Sequence, residues 1–251
     1  MIRIGTSGWV YGGWRGPFYP RTLPQRQWLQ YYVEHFDTVE LNATTYRLPT
    51  PAQVDTWSQA VPANFRYTVK LSRLITHRKE WPERVDRYIE NYFDRMRGFD
   101  RRKLAQILVQ FPPSLKRDDD RLDSLLSKLP RDFRYVVEFR NASWMDEHVR
   151  DLLASHRVAF CIHDYPGLTV PSWVTSGQLA YVRLHGHTGL YEGSYPRREL
   201  TAWNEAILAL AERAQDVYVY FNNDTDAAAP HDALILRQIT ALSKGRYRAS
   251  G

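Results

Sequence analysis

The chain has a single cysteine, Cys161, among 251 residues. No internal disulfide can form, and a reducing compartment is expected. Cys161 lies in the apolar run VAFCIHD, where a buried inert thiol is expected rather than a nucleophile. Long apolar runs are also missing. No stretch approaches the roughly 18 apolar residues needed to span a membrane. The opening MIRIGTSGW has no basic segment leading into an apolar one, so no signal peptide is expected. The expectation is a cytoplasmic protein with no membrane partner. GTSGWVYGG is glycine-rich but lacks the G-x-G-x-x-G spacing of a dinucleotide fingerprint. No H-x-x-x-H, H-E-x-x-H or G-x-S-x-G pattern occurs either. Neither a cofactor nor a required metal is expected, and Ser7 in GTSGW reads as a turn residue. No repeat, linker or low-complexity segment divides the chain.

What is present is a globular composition. Hydrophobic residues make up 43 %, and aromatics 14 %, with 16 Tyr and 8 Trp. Lys and Arg number 34 against 28 Asp and Glu, a net charge of +6. A mildly basic chain of this kind suits phosphates, nucleic acid or anionic metabolites as partners, or simply a solvated basic surface.

Eight short apolar runs read as strands: 2–9, 38–46, 66–72, 105–113, 134–141, 158–166, 179–186 and 217–224. Helical periodicity lies between most of them, at 25–36, 49–61, 82–97, 118–129, 146–156, 197–214 and 230–243. The link after the sixth strand has little helix, confined to PSWV at 171–174. Eight strand–helix units in about 250 residues predict a single-domain TIM (β/α)8 barrel over 1–251. A doubly wound open sheet is the competitor and would use fewer strands.

Strand phase then predicts a site. A barrel strand points alternate residues to the helices and to the lumen. Apolar Val39, Leu41, Val69, Leu71, Val109, Val137, Phe139, Ile162, Val182, Leu184 and Phe221 take the helix side. Glu40, Asn42, Lys70, Gln110, Glu138, Arg140, His163, Arg183, His185, Tyr218, Tyr220 and Asn222 face inward. Charges in a lumen are costly unless they pair or meet a ligand. A self-satisfied lattice would set Glu40 and Glu138 against Lys70, Arg140 and Arg183. A ligand site would gather the ring at the C-terminal ends of the strands. There Lys70, Arg140 and Arg183 form an anion clamp, with Arg73 and His77 just past the third strand. Asn42, Tyr46, Asn222 and Asn223 join this binding set. Glu40 or Glu138 serves as general acid/base with His185 as proton partner. Trp9, Tyr11, Trp14 and Trp144 form a lid or pocket wall.

Five motifs carry a resemblance: IGTSGWVYGGWRGPFYP, FDTVELNATTYRLP, VEFRNASW, YVRLHG and VYVYFNND. Together they resemble the YecE-like family, domain of unknown function 72. The resemblance runs from Gly5 to Asp224. It implies a TIM barrel related to xylose isomerase-like and endonuclease IV-like barrels, and brings no settled activity. Signature residues fall on Ser7, Trp9, Tyr11, Trp14, Glu40, Asn42, Tyr46, Arg47, Lys70, Glu138, Arg140, Trp144, Arg183, His185, Gly186, Asn222, Asn223 and Asp224. The family pattern has Phe where Thr45 stands, and a Gly and an Asn near Ala228 and Asp232. Three functions compete. The first is an acid–base enzyme acting on a phosphorylated or otherwise anionic small molecule. The second is a protein that binds or cuts nucleic acid, stacking bases on Trp9, Tyr11, Trp14 and Tyr46. The third is a non-catalytic binding module.

Overall fold

A computed structural model describes residues 1–78 and 85–249, apart from the side chains of 244–249. Eight parallel strands close on themselves in sequence order: β1 (Ile2–Ser7), β2 (Thr38–Leu41), β3 (Arg66–Lys70), β4 (Leu104–Gln110), β5 (Tyr135–Glu138), β6 (Ala159–His163), β7 (Leu179–Leu184) and β8 (Asp216–Phe221). β8 pairs back onto β1, so no strand has a free edge. This is the predicted TIM-type barrel.

The helices are α1 (Trp28–His35), α2 (Ala43–Tyr46), α3 (Pro51–Gln59), α4 (Arg73–Thr76), α5 (Val85–Met96), α6 (Asp119–Lys128), α7 (Glu147–Ser155), α8 (Arg197–Arg213) and α9 (Ala228–Ala249). Local chemistry fixes their starts. Thr50 and Gln53 form a capping box at α3, with Pro51 at its first position. Asp118 caps α6 and Asp119 and Asp120 fill its first turn. The helical pattern expected from residue 82 begins outside the described residues and continues as α5.

Two expectations need correction. Residues 43–46, read as the end of a strand, form α2. PSWV is irregular rather than helical. Pro166, Gly167 and Pro171 prevent a helix in this link. Trp173 covers the barrel there instead, its ring 4.9 Å from that of Phe160.

Val39, Val69, Val109, Val137, Val182 and Val219 face the helices and are fully buried in the large outer core. Inside the barrel a smaller plug contains Leu108, Val136, Ala159, Cys161, Leu179, Tyr181, Tyr218 and Tyr220. The strands pinch where a Cβ on Gly5 would sit 2.3 Å from the Thr38 carbonyl oxygen, so only glycine fits. The plug forms a floor, and the polar ring stands above it at the strand ends.

Candidate functional site

Arg183 is the hub of the ring. It lies on β7, where its neighbours in register are His163 on β6 and Tyr220 on β8. Its guanidinium has five N–H donors. Nη2 donates to Glu40 Oε1 at 2.8 Å and to Ser7 Oγ at 3.3 Å, and Nε to Glu40 Oε2 at 3.1 Å. Nη1 donates to Glu138 Oε2 at 2.5 Å and to His185 Nε2 at 3.3 Å. All five donors are used within the protein. Ser7 Oγ and Tyr181 Oη each donate to Glu40 at 2.6 Å. Arg140 Nε donates to Glu138 Oε1 at 2.6 Å.

Two guanidiniums thus balance two carboxylates, and all four carboxylate oxygens are engaged. Burial alone would raise both acids. For Glu40, Arg183 outweighs it, helped by Ser7 and Tyr181, and the carboxyl ends below its usual range. For Glu138, Arg140 and Arg183 hold the carboxyl well below that range. This matches the self-satisfied lattice for Arg140, Arg183 and the two glutamates. It leaves Arg183 with no donor to offer an anion.

His185 closes the lattice. Nη2 of Arg140 reaches its Nε2 at 3.2 Å, alongside the Arg183 contact. Guanidinium groups only donate, so Nε2 is the acceptor. The proton therefore sits on Nδ1, 3.2 Å from Asp164 Oδ1. Asp164 Oδ1 also accepts the His185 backbone N–H at 2.6 Å, and its Oδ2 accepts from Tyr195 Oη. Gly186 turns the chain immediately afterwards at φ +134°, a conformation reserved for glycine. His163 faces the same ring. Its Nε2 lies 2.8 Å from Phe139 O, its Nδ1 accepts from Tyr165 N, and burial pushes it down to about 4.

Outside the lattice stand the groups free to meet a ligand. Lys70 ends β3 and, among the described residues, makes no ion pair or side-chain hydrogen bond. Burial pushes its ammonium down to about 8, Arg183 and Arg140 acting with it and Glu138 and Glu40 against it. Arg140 donates to Tyr191 Oη at 3.0 Å and lies over the Tyr165 ring, yet two of its five N–H groups have no partner among the described residues. Arg73 stacks 5.2 Å over Tyr46, which is 73 % exposed at the rim. Desolvation and then Lys70, Arg140 and Arg73 push His77 down to about 4, so it is a neutral imidazole at pH 7. Asn222 lies just beyond β8, its backbone N–H on Leu184 O.

Several expected residues are elsewhere. Trp14 and Trp144 are fully buried. The Trp14 indole donates to Asp224 O and packs on Tyr11, while Trp144 stacks on Phe139 on the helix side. Trp9 is buried too. None of the three tryptophans presents a face for stacking, because each ring folds back into the outer core. Tyr11 is near the ring, its hydroxyl donating to Ser7 O. Asn223 is structural. Its amide holds Gly193 O at 2.9 Å and Asp232 Oδ2 at 2.8 Å. Asn42 donates to Ser7 Oγ at 2.8 Å and its Oδ1 is buried without a partner.

Three residues gain roles. Ser7 is no turn residue, since it closes β1 and bonds Glu40. Tyr181 sits two residues before Arg183, in the same phase, so alternation could have found it. Asp224 has a buried Oδ1 without a partner. Burial pushes its carboxyl up to about 8, against the pull of Tyr11 and Arg183 and with the repulsion of Glu40. Among the described residues no three His, Cys, Asp or Glu side chains stand in metal-binding proximity. A cavity of about 310 Å³ exists between Arg66, Arg101, Arg134, Phe99 and Phe133. It belongs to the opposite, N-terminal end of the strands and is separate from the ring.

The profile described as "Protein of unknown function DUF72" matches residues 3–249. The chain belongs to the DUF72 family. It is 26 % identical over 260 residues to UPF0759 protein YunF of Bacillus subtilis, covering 91 % of each chain. UPF0759 protein YecE of Escherichia coli is 32 % identical over 142 residues, 56 % of this chain and 49 % of that protein. A DUF72 structure from Thermotoga maritima superposes with a TM-score of 0.84 at 28 % identity, covering 96 % of this chain and 99 % of that one. None of these DUF72 or UPF0759 names states a reaction. No helix among the described residues is long and apolar enough to cross a membrane.

Proposed function

We propose that the mouth of this DUF72 barrel binds a small phosphorylated or carboxylated molecule, with Lys70 and the two unpartnered N–H groups of Arg140 as its charged contacts. The observation that carries this is the charge balance. Arg140 and Arg183 neutralise Glu40 and Glu138, which leaves Lys70 as an uncompensated cation facing the bowl. An uncompensated half-buried charge is costly and is offset by an anionic ligand. Arg73 at the rim adds attraction at longer range.

Acid–base chemistry in this bowl falls to groups that exchange a proton near neutral pH. Lys70 and Asp224 are two such groups. Glu40, Glu138 and His185 are the rigid frame that holds Arg140 in place, since a preorganised frame keeps a site accurate. The test is titration of the protein with pyrophosphate, followed calorimetrically. Lys70→Met is expected to weaken binding about tenfold or more, as loss of a charged hydrogen bond of about 1.5–3 kcal/mol would. Unchanged pyrophosphate affinity in a folded Lys70→Met protein overturns the reading.

A further inference from the structure

The chain carries 28 arginines and only six lysines. Arginine therefore supplies almost every cation, yet a lysine ends β3. The two residues differ in one decisive respect: a lysine amine can lose its proton and an arginine cannot. At Lys70 the surroundings favour that loss. No carboxylate among the described residues pairs with the ammonium, and Arg183, Arg140 and His77 face it together with Glu40 and Glu138, which are neutralised by the guanidiniums. The base of the side chain is fixed. The Lys70 carbonyl accepts from Thr44 Oγ1 at 2.6 Å and from Tyr92 Oη at 3.0 Å, which pins the strand end from two helices. A desolvated lysine beside other cations is the arrangement that activates an amine as a nucleophile.

We propose that Lys70 is the nucleophile of a carbonyl-binding site, forming an imine with an aldehyde or ketone that also bears an anionic group. The proposal rests on the anion-binding reading above and deepens it. The neutral amine attacks the carbonyl carbon. The N–C bond forms while the C=O π pair moves to oxygen, and one proton passes from nitrogen to that oxygen through water. The carbinolamine oxygen then takes a second proton from water and leaves as a water molecule. The nitrogen lone pair closes the C=N⁺ bond. The two unpartnered N–H groups of Arg140 hold the anionic group beside the reacting carbon.

The experiment is reductive trapping. The full chain is incubated at pH 7 with D-glyceraldehyde 3-phosphate or with uncharged glyceraldehyde, each with cyanoborohydride, and adducts are mapped by mass spectrometry. The other five lysines, Lys79, Lys103, Lys116, Lys128 and Lys244, serve as internal references. Lys70 is expected to react at least about tenfold faster than they do, because a desolvated amine beside other cations is neutral more often than an ordinary lysine. The phosphorylated aldehyde should react faster than the uncharged one. Lys70→Arg, which keeps the cation and cannot lose its proton to form an imine, should lose the fast adduct. Equal labelling of all six lysines overturns the imine, and pyrophosphate binding measured in the same sample shows whether the anion site survives that failure. Fast labelling of Lys70 at equal rates by both aldehydes keeps the nucleophile and overturns the anionic group instead.

Discussion

Arg183 holds Glu40 through two parallel hydrogen bonds, Nη2 to Oε1 at 2.8 Å and Nε to Oε2 at 3.1 Å, with both side chains out of contact with solvent. The fork-on-fork geometry fixes the spacing of β2 and β7 across the lumen. Removing one partner leaves buried charge uncompensated. Arg183→Met is expected to cost about 3–5 kcal/mol in urea unfolding. Adding Glu40→Gln to that variant should recover part of the loss, since the stranded carboxylate is then gone while Glu138 keeps Arg140 as its partner. A loss under 1 kcal/mol for Arg183→Met alone would contradict the lattice.

Lys70 gives a stability signal at alkaline pH. In the folded chain its ammonium releases the proton near 8, against 10.5 for an ordinary lysine. Between those values the unfolded chain binds more protons, so this residue makes stability rise with pH. Arg183, Arg140, Glu138, Glu40 and His77 face the amine and set that window. Lys70→Met should remove the rise. Urea midpoints at pH 7.5 and 9.5 for both proteins measure it.

Asp224 has the opposite sign over a lower window. The folded carboxyl keeps its proton up to about 8, against 3.8 ordinarily. The folded chain therefore binds more protons between pH 4 and 8, and this residue makes stability fall as pH rises. Asp224→Asn keeps the shape and cannot ionise. Relative to the parent it should gain more melting temperature at pH 8 than at pH 5. A gain of equal size at both values would show that the carboxyl is already ionised at pH 5.

Ala227 lies at φ 59°, left-handed and fully buried, directly after Asp226 at φ 54°. Ala227→Gly relieves about 1–2 kcal/mol of left-handed strain and loses about 0.8 kcal/mol of methyl burial. The expected net gain is about 0.5 kcal/mol, a rise of about 1–2 °C in melting temperature for a chain of this size. Ala227→Val should lower it by more, because a β-branched residue is a true outlier there.

The barrel and the ring were legible for one reason. A strand repeats every two residues, and a closed sheet sends every second residue to the lumen, so polar Glu40, Glu138, Arg183 and His185 among valines had one place to go. The strand ends were less legible. Alternation persists through 42–46 and 222–224 in the sequence, but the chain bends into α2 after Leu41 and leaves the sheet after Phe221. The fate of the tryptophans was not legible at all. Loop aromatics have no period, so nothing local distinguishes Trp144 stacked on Phe139 from a pocket wall. Hydrogen-bond saturation was equally hidden. That Arg183 has no spare donor depends on Ser7, 176 residues away.

Cys161 lies inside the lumen plug, fully buried, and burial pushes its thiol well above the ordinary range. As the chain's one sulfhydryl, it is a built-in clock for opening of the barrel. A bulky thiol reagent reaches it only when the strands part, so the labelling rate under native conditions reads the free energy of that opening directly. No tag or engineered probe is required.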